Sequence, residues 1–181
     1  MKKGVIAAII LAGVILVVGG FLLFGKISPE GNNAGEIKTI LHKDFRASIN
    51  SDWEEIEVSG INLYLPQNTS QEDDRAEAIV IISTPLQGNN QTLDQILEQG
   101  IENSKIIMPD FELTENINYN NGKITGKEIK FTGTQQRIKR NGDQFFGIKN
   151  NILYSVTYTC PSDSCNYDSV FRTVIESFEP V

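Results

Sequence analysis

The feature that most constrains this chain is a run of 22 residues near its N-terminus, residues 4–25, with no charged and no polar side chain. As a helix this run would extend about 33 Å, enough to cross the hydrocarbon core of a bilayer. Lys2 and Lys3 immediately precede it, and the positive-inside tendency then keeps the N-terminus in the cytoplasm. We therefore expect residues 1–25 to form a single transmembrane anchor, with the rest of the chain outside the cytoplasm.

Two other interpretations of the run fit less well. A cleaved secretory signal has a shorter apolar region and a small-residue cleavage site, and neither is evident here. A prepilin-type leader would be cut near Gly4, but Ala8 and Ile9 stand where a pilin helix has its early acidic residue. Residues 26–36 mix Pro, Gly, Asn and charge without periodicity, which predicts a short linker. Residues 37–181 then form one extracytoplasmic domain.

The charge balance bears on the kind of partner. The formal net charge is −7, and three of the 16 basic residues (Lys2, Lys3 and Lys26) flank the apolar run. The chain beyond Lys26 therefore carries 13 basic residues against 23 acidic ones, a net charge near −10. A surface this acidic repels phosphate backbones, so no nucleic-acid partner is expected.

Apolar and alternating patterns predict mostly β-structure in the domain. Asparagine-containing turns at Asn120–Gly122, Asn141–Gly142 and Asn150–Asn151 would close hairpins between successive strands. The run 78–82 is apolar on both faces, as expected of a central strand covered on two sides. In the strand 111–119 we expect Phe111, Leu113, Ile117 and Tyr119 to share one face. The predicted strands cover residues 45–49, 61–66, 78–82, 111–119, 124–131 and 152–159.

Two segments have helical periodicity instead. Residues 92–107 place their apolar side chains on one stripe, and Thr92 with Gln95 fits a capping box at the N-terminus. Residues 167–178 carry a second apolar stripe. One-sided helices must pack on an apolar surface, and the sheet is what is available. The sequence therefore predicts an α+β domain, a mostly antiparallel sheet with helices packed on it.

Several of these elements carry motifs of a known family. An aromatic strand at 45–49 precedes Asp52 and Trp53, Thr92 opens the long helix, and residues 154–158 (YSVTY) and 175–178 (IESF) close the chain. In this order they resemble the PsbP/Mog1-like family, in particular the PsbP-related domains of secreted or anchored prokaryotic proteins. The resemblance covers about residues 37–181 and implies an α/β/α sandwich.

The resemblance also implies a role. Members of the family act as non-catalytic binding or assembly modules, in photosystem support for PsbP and as a small-GTPase partner for Mog1. We therefore expect a non-enzymatic, membrane-anchored binding module with a protein partner of unknown identity. The alternative is a small-ligand carrier, or an enzyme, that uses a pocket between sheet and helices.

Motifs for catalysis, metal binding or cofactor binding are not evident. The chain has no G-x-S-x-G, H-E-x-x-H, P-loop or G-x-G-x-x-G motif. The acidic clusters at 54–57, 72–74 and 163–168 lack the spacing of a calcium loop. We interpret His42, the single histidine, as a surface residue. No catalytic residue, cofactor or metal is expected.

Cys160 and Cys165 are the only cysteines, and in a translocated domain they should form a disulfide. Redox catalysis normally uses C-x-x-C, so a structural role is favoured. The bond would close the turn between the last strand and the last helix.

The remaining candidate site is a basic cluster, and we treat Arg137, Lys139 and Arg140 as possible partner contacts, together with the sheet edge and the hairpins near Asn141 and Asn150. Lys127 and Lys130 belong to the same cluster. Asn68 and Asn90 fit the N-glycosylation pattern, which has meaning only where the transferase exists.

Overall fold

The structure, a computed structural model, describes residues 36–58, 61–67, 69, 75–86, 91–165 and 168–181. The predicted anchor, residues 1–25, and the predicted linker, except Glu36, lie outside this part of the chain, as do the sequons at Asn68 and Asn90. Within the described ranges no helix is both long and apolar enough to cross a bilayer.

The described residues form ten strands and two helices. The strands are β1 (Ile37–Leu41), β2 (Phe45–Asn50), β3 (Trp53–Val58), β4 (Ile61–Pro66), β5 (Ala78–Pro85), β6 (Glu112–Asn120), β7 (Thr125–Gln135), β8 (Ile138–Lys149), β9 (Ile152–Pro161) and β10 (Glu179–Pro180). Helix α1 spans Leu93–Ile107, between β5 and β6, and helix α2 spans Asp168–Ser177, between β9 and β10.

Every strand pair of the described residues is antiparallel, in agreement with the mostly antiparallel sheet that the sequence predicted. Seven strands form a large sheet in the order β3-β4-β5-β9-β8-β7-β6, and β1-β2-β10 form a small sheet. Residues 78–82 are buried throughout, which confirms the prediction of a central strand covered on both faces.

Helices cover both faces of the large sheet. On one face α1 packs through Ile96 and Leu97 against a cluster that includes Phe131 and Phe146. On the other face α2 and the small sheet share one core with the centre of the large sheet. The largest side chains of this core are Phe45, Trp53, Tyr64, Phe145, Tyr154, Tyr158, Phe171 and Phe178. The predicted α+β architecture is confirmed, whereas the three-stranded small sheet was anticipated only through its strand at 45–49.

Side chains fix the ends of both helices. The Gln95 amide donates to the Thr92 hydroxyl oxygen at 3.3 Å, and the Thr92 amide donates to the Gln95 side chain at 3.0 Å, so the predicted capping box is present. At the far end of α2, the side-chain amide of Asn121 donates to the carbonyls of Ile175 and Phe178, at 2.9 and 2.8 Å. The β6–β7 turn therefore satisfies carbonyls that the helix leaves open.

The turn predictions are confirmed at two places and wrong at one. The β6–β7 turn contains Gly122 at φ +81°, and the β8–β9 turn contains Asn150 and Asn151 at φ 52° and 61°. Asn141–Gly142 is not a turn: it lies inside β8, and the chain turns at Gln136 and Arg137 instead (φ 51° and 72°).

Packing explains why residue 142, inside β8, is a glycine. Gly142 lies opposite Phe131 of β7, and a Cβ on it would lie 2.6 Å from atoms of the Phe131 ring. The residue is small because the aromatic ring occupies that space, and a turn is not needed to account for it.

The prediction that one face of β6 carries Phe111, Leu113, Ile117 and Tyr119 is also wrong. The register with β7 shifts between Leu113 and Glu115, which leaves Thr114 as a bulge. Because a one-residue insertion inverts the alternation, Phe111 and Leu113 pack on the α1 side while Tyr119 packs on the α2 side.

Candidate functional site

Within the described residues, a cavity of about 330 Å³ lies on the α2 side of the large sheet, next to the disulfide. We call it the disulfide cavity. Its volume lies at the small end of the range usual for ligand sites. Strands β6 to β9 supply most of its lining, and the loop after β9 closes one side. It is lined by Thr114, Lys130, Phe131, Thr132, Asn141, Gly142, Asp143, Tyr158, Cys160 and Cys165.

The loop that closes the cavity is held from several sides. Cys160 is bonded to Cys165, which confirms the predicted disulfide. Arg75 binds Asp163 at 2.5 Å, and the guanidinium holds the pKa of that carboxyl below its usual range. The Ser162 amide donates to the carbonyl of Lys139 at 2.8 Å. The far wall of the cavity is therefore tied both to the segment before β5 and to β8.

Both apolar and charged groups line the disulfide cavity. The hydroxyl of Tyr158 donates to the carboxylate of Glu77 at 2.5 Å, and Tyr158 is 2% exposed. Lys130 lies opposite Asp143 in the β7–β8 register and pairs with Glu115 of β6 at 3.4 Å. An ion pair that is half exposed and this long is weak, so Lys130 and Glu115 can give up their contact and bind a ligand at a small cost in free energy.

Beside the cavity, β6 is the last strand of the large sheet. Most of its nine residues are exposed, and no described strand pairs with its outer side. An edge strand of this length presents a row of backbone donors and acceptors to an added strand. The bulge at Thr114 brings this edge to the lining of the cavity.

The predicted basic cluster is not one surface. Lys127 binds Asp94 of α1 at 2.7 Å on one face of the sheet, whereas Lys130 lines the cavity on the other. Arg140 is 6% exposed and donates to the carbonyl of Ala76 at 3.1 Å, so its guanidinium is not offered to a partner.

Arg137 lies in the β7–β8 turn and Lys139 lies beside it, and both residues are exposed. The carbonyl of Lys139 accepts the hydrogen bond from Ser162, which places these two cations beside the loop of the disulfide cavity. Their role as partner contacts stays a prediction.

His42, which the sequence suggested to be a surface residue, is partly exposed, with 24% of its side chain accessible, and it also makes specific contacts. Its Nε2 lies 2.9 Å from the Tyr64 hydroxyl and 3.1 Å from Glu55 Oε1, and its ring stacks on Phe45 at 4.7 Å. Burial, together with the charge of Glu55, raises the pKa of Tyr64, so this hydroxyl stays neutral. The contacts of His42 with Glu55 and Tyr64 therefore join the β1–β2 turn to β3 and β4.

Sequence reasoning missed the disulfide cavity because its lining comes from five separate segments. The single local signal was the cysteine pair. Within the described ranges no three His, Cys, Asp or Glu side chains are grouped so that they could hold a metal ion.

Two comparisons based on sequence give no match: none with a protein-family model and none with a curated protein. Comparison of the fold with solved structures does give matches. LpqN of Mycobacterium tuberculosis, described as involved in cell envelope biogenesis, has a TM-score of 0.58 at 11% identity, over 81% of this chain and 91% of that one. Cyanobacterial PsbP (CyanoP) of Synechocystis has a TM-score of 0.58 at 12% identity, over 87% of this chain and 99% of that one.

A third match, a Bacteroides thetaiotaomicron protein, has a TM-score of 0.51 at 16% identity, over 76% of this chain and 45% of that one. These likenesses concern the fold, because all three identities are low. The domain has the PsbP/Mog1-like fold, which confirms the resemblance read from the sequence motifs.

Proposed function

We propose that this protein is a membrane-anchored, extracytoplasmic binding module without catalytic activity, and that it holds an extended segment of a protein partner. The observation that carries the proposal is the position of the disulfide cavity directly beside the outer edge of β6, with which no described strand pairs. A strand added to β6 gains main-chain hydrogen bonds along its length, and the cavity can receive one of its side chains. Arg137 and Lys139 stand at the same end of the domain to contact polar groups of the partner.

Three further observations support the location. The charge-free run 4–25, preceded by Lys2 and Lys3, favours an anchor with the domain translocated. A disulfide persists in oxidising compartments, in agreement with an extracytoplasmic domain. LpqN, which has the same fold, is described as involved in cell envelope biogenesis.

Photo-crosslinking in native membranes tests the proposal. A benzophenone amino acid at Asn116, exposed on β6, should give a discrete adduct with a partner, and the same group at Glu98, exposed on α1, should not. Thr132→Trp, which fills the cavity, should abolish the adduct. Thr173→Trp on α2, outside the cavity lining, is the matched control and should preserve it. Equal labelling from Asn116 and Glu98 would contradict the proposal.

The competing function is a small-ligand carrier, and the volume and mixed lining of the disulfide cavity are the observations that favour it. Native mass spectrometry of the full chain, released from membranes in mild detergent, distinguishes the two functions. A bound mass that Thr132→Trp removes, with no adduct from Asn116, would establish the carrier.

A further inference from the structure

We propose that two copies of this protein in one membrane pair through β1, with the two strands antiparallel about a twofold axis at Thr39. The small sheets of the two copies then become one sheet of six strands. This contact is separate from the one in the proposed function, because β1 belongs to the small sheet and β6 to the large sheet. The membrane anchoring put forward above enters only as the means that brings two copies together.

The outer side of β1 presents backbone groups that can bond to another strand. β1 is the end strand of the small sheet, and no strand of the described residues pairs with its outer side. The amide of Ser51 donates to the carbonyl of Glu36 at 2.8 Å, and the amide of His42 donates to the carbonyl of Phe45 at 2.9 Å. Because hydrogen-bonded residues alternate in an antiparallel pair, the even-numbered residues of β1 bond to β2, and the odd-numbered residues direct their N–H and C=O groups outward. The outward residues are Ile37, Thr39 and Leu41.

The exposed apolar side chains of β1 lie symmetrically about its centre. Ile37 is 63% exposed and Leu41 is 73% exposed, and each lies two residues from Thr39, which is also exposed. A second β1 paired antiparallel at Thr39 places its Leu41 opposite Ile37 and its Ile37 opposite Leu41. Each of these side chains gains an apolar partner, and all three outward residues form hydrogen-bonded pairs. A copy of the same strand therefore complements β1, as a twofold contact requires.

The other end strands of the two described sheets carry residues that oppose pairing with their own copies. β3 contains Glu54 and Glu55, and β10 has only two residues, one of them Pro180, which has no N–H to donate. β6 carries a bulge and two glutamates. By contrast, β1 contains neither a proline nor an acidic residue, and its pairing with β2 has no bulge.

Lys38, the single charged residue of β1, does not block the edge. Its ammonium donates to the carbonyls of Ser51 and Trp53, so it is bound within its own domain on the side of β2. In the twofold register Lys38 lies opposite Ile40 of the second copy. No charged side chain of one β1 therefore faces a charged side chain of the other.

Charges of both signs lie beyond the ends of β1. The twofold register places Glu36 of one copy opposite His42 of the other, and Glu55 lies 3.1 Å from that histidine. The β1–β2 turn adds Lys43 and Asp44. Carboxylates outnumber ammonium groups at these ends, so the attraction comes from the apolar pairs and the main-chain hydrogen bonds. High salt, which screens charges, should therefore not weaken the contact.

The anchor favours a copy of the same chain over other occupants. The predicted linker has 11 residues and leads directly into β1, so anchored copies hold their β1 strands within the same layer, at most about 40 Å from the bilayer. Confinement to this layer raises the effective concentration, which a contact of one strand pair requires. The linker itself is a poorer occupant, because residues 28–34 include a proline and two glycine or asparagine pairs' worth of turn formers without alternating apolar side chains.

Cysteine crosslinking of the full chain in native membranes tests the proposal. Both native cysteines are in the disulfide, so a single added cysteine reacts specifically while that bond is left oxidised. Two differently tagged chains, one with Ile37→Cys and one with Leu41→Cys, are coexpressed and treated with bismaleimidoethane, a short bifunctional reagent. The matched control is Ile106→Cys in both chains, since Ile106 is 78% exposed on α1, across the large sheet from the small sheet.

The expected result is that the mixed pair, Ile37→Cys with Leu41→Cys, crosslinks at least about threefold more than either chain with itself. Like positions lie about 14 Å apart along the paired strands, whereas the mixed positions lie opposite each other. The control at Ile106→Cys should give no dimer beyond random collision, and high salt should not lower the mixed yield.

An exchange of charge at Thr39 separates loss of the contact from loss of the fold. Thr39→Lys in both chains sets like charges opposite each other and should lower the mixed yield about threefold, and Thr39→Glu in both chains should do the same. Thr39→Lys in one chain with Thr39→Glu in the other should restore the yield. The adduct from Asn116 should persist in all of these variants, because β6 belongs to the other sheet.

Three results would overturn the proposal. Equal yields from the mixed pair and from like pairs would show that the strands do not pair in this register. A yield that the combination of Thr39→Lys with Thr39→Glu does not restore would show that the two copies of Thr39 are not opposite each other. A dimer from Ile106→Cys as abundant as the mixed dimer would assign the signal to collisions of anchored chains. If the mixed crosslink forms but the adduct from Asn116 does not, the β1 contact stands and the proposed function is wrong.

Discussion

Removing Arg172 tests how α2 is held on the large sheet. Arg172 binds Glu128 of β7 with both of its terminal nitrogens, Nη1 at 2.8 Å from Oε2 and Nη2 on Oε1. The Glu128 side chain is only 1% exposed, whereas that of Arg172 is 32% exposed. The change Arg172→Ala therefore leaves an almost completely buried carboxylate without its cation.

The expected loss follows from that asymmetry. Removing one partner of a buried ion pair typically costs about 3–5 kcal/mol of unfolding free energy, because the remaining charge is left uncompensated. Water reaches the exposed side of Arg172, so we expect the lower end of this range, about 3 kcal/mol. Replacing both partners, as Glu128→Leu with Arg172→Met, removes the stranded charge and should return to within about 1 kcal/mol of the wild type.

Urea unfolding in detergent micelles provides the measurement. Trp53 is the single tryptophan and is 0% exposed, so its fluorescence reports on the folded domain without added probes. Lys105→Ala is the control, because it breaks an exposed pair with Glu102 at 3.0 Å and should cost less than about 0.5 kcal/mol. If Arg172→Ala costs no more than Lys105→Ala, the reasoning about the buried pair is wrong.

Three other predictions concern stability. Cys160→Ser opens a short loop and should lower the unfolding free energy by about 2 kcal/mol, and equal stability of the oxidised and reduced wild type would contradict this. The fold raises the pKa of Tyr64 above its ordinary value of 10.0, so the neutral hydroxyl contributes its full stabilisation below pH 10.0 and loses it as the pH rises further. The advantage of the wild type over Tyr64→Phe in unfolding free energy should therefore shrink from pH 9 to 11. Urea midpoints that change with pH by the same amount in the two proteins would refute this prediction. Gly126→Ala places a Cβ against the Phe146 carbonyl and should lower the unfolding free energy by more than about 2 kcal/mol. Gly122→Ala meets no atom within 4 Å and should lower it by about 1 kcal/mol, because of the positive φ. Equal losses of stability in thermal unfolding would show that steric contact does not determine the cost of these substitutions.

The parts of the fold that local chemistry determines could be predicted from the sequence. The capping box at Thr92 and Gln95 needs only four consecutive residues, and the turn at Gly122 needs only a residue that tolerates positive φ. The central strand at 78–82 was recognisable because burial on both faces requires an uninterrupted apolar run.

The predictions were wrong where the contact that determines the local structure comes from a distant part of the chain. Asn141–Gly142 has the composition of a turn, but its glycine makes room for the Phe131 ring of the neighbouring strand. The real turn at Gln136 and Arg137 carries no glycine or asparagine, so it gave no signal. His42 lies near its acidic partner Glu55 only because β1 and β3 come together in the fold.

The same limitation applies to the disulfide cavity, because it is lined by residues far apart in sequence. Lys149 pairs with Ile152 at one end of the β8–β9 hairpin, and Asn141 pairs with Cys160 near the other. Eight residues of strand separate these pairs, which places the disulfide cavity about 27 Å from the β8–β9 turn.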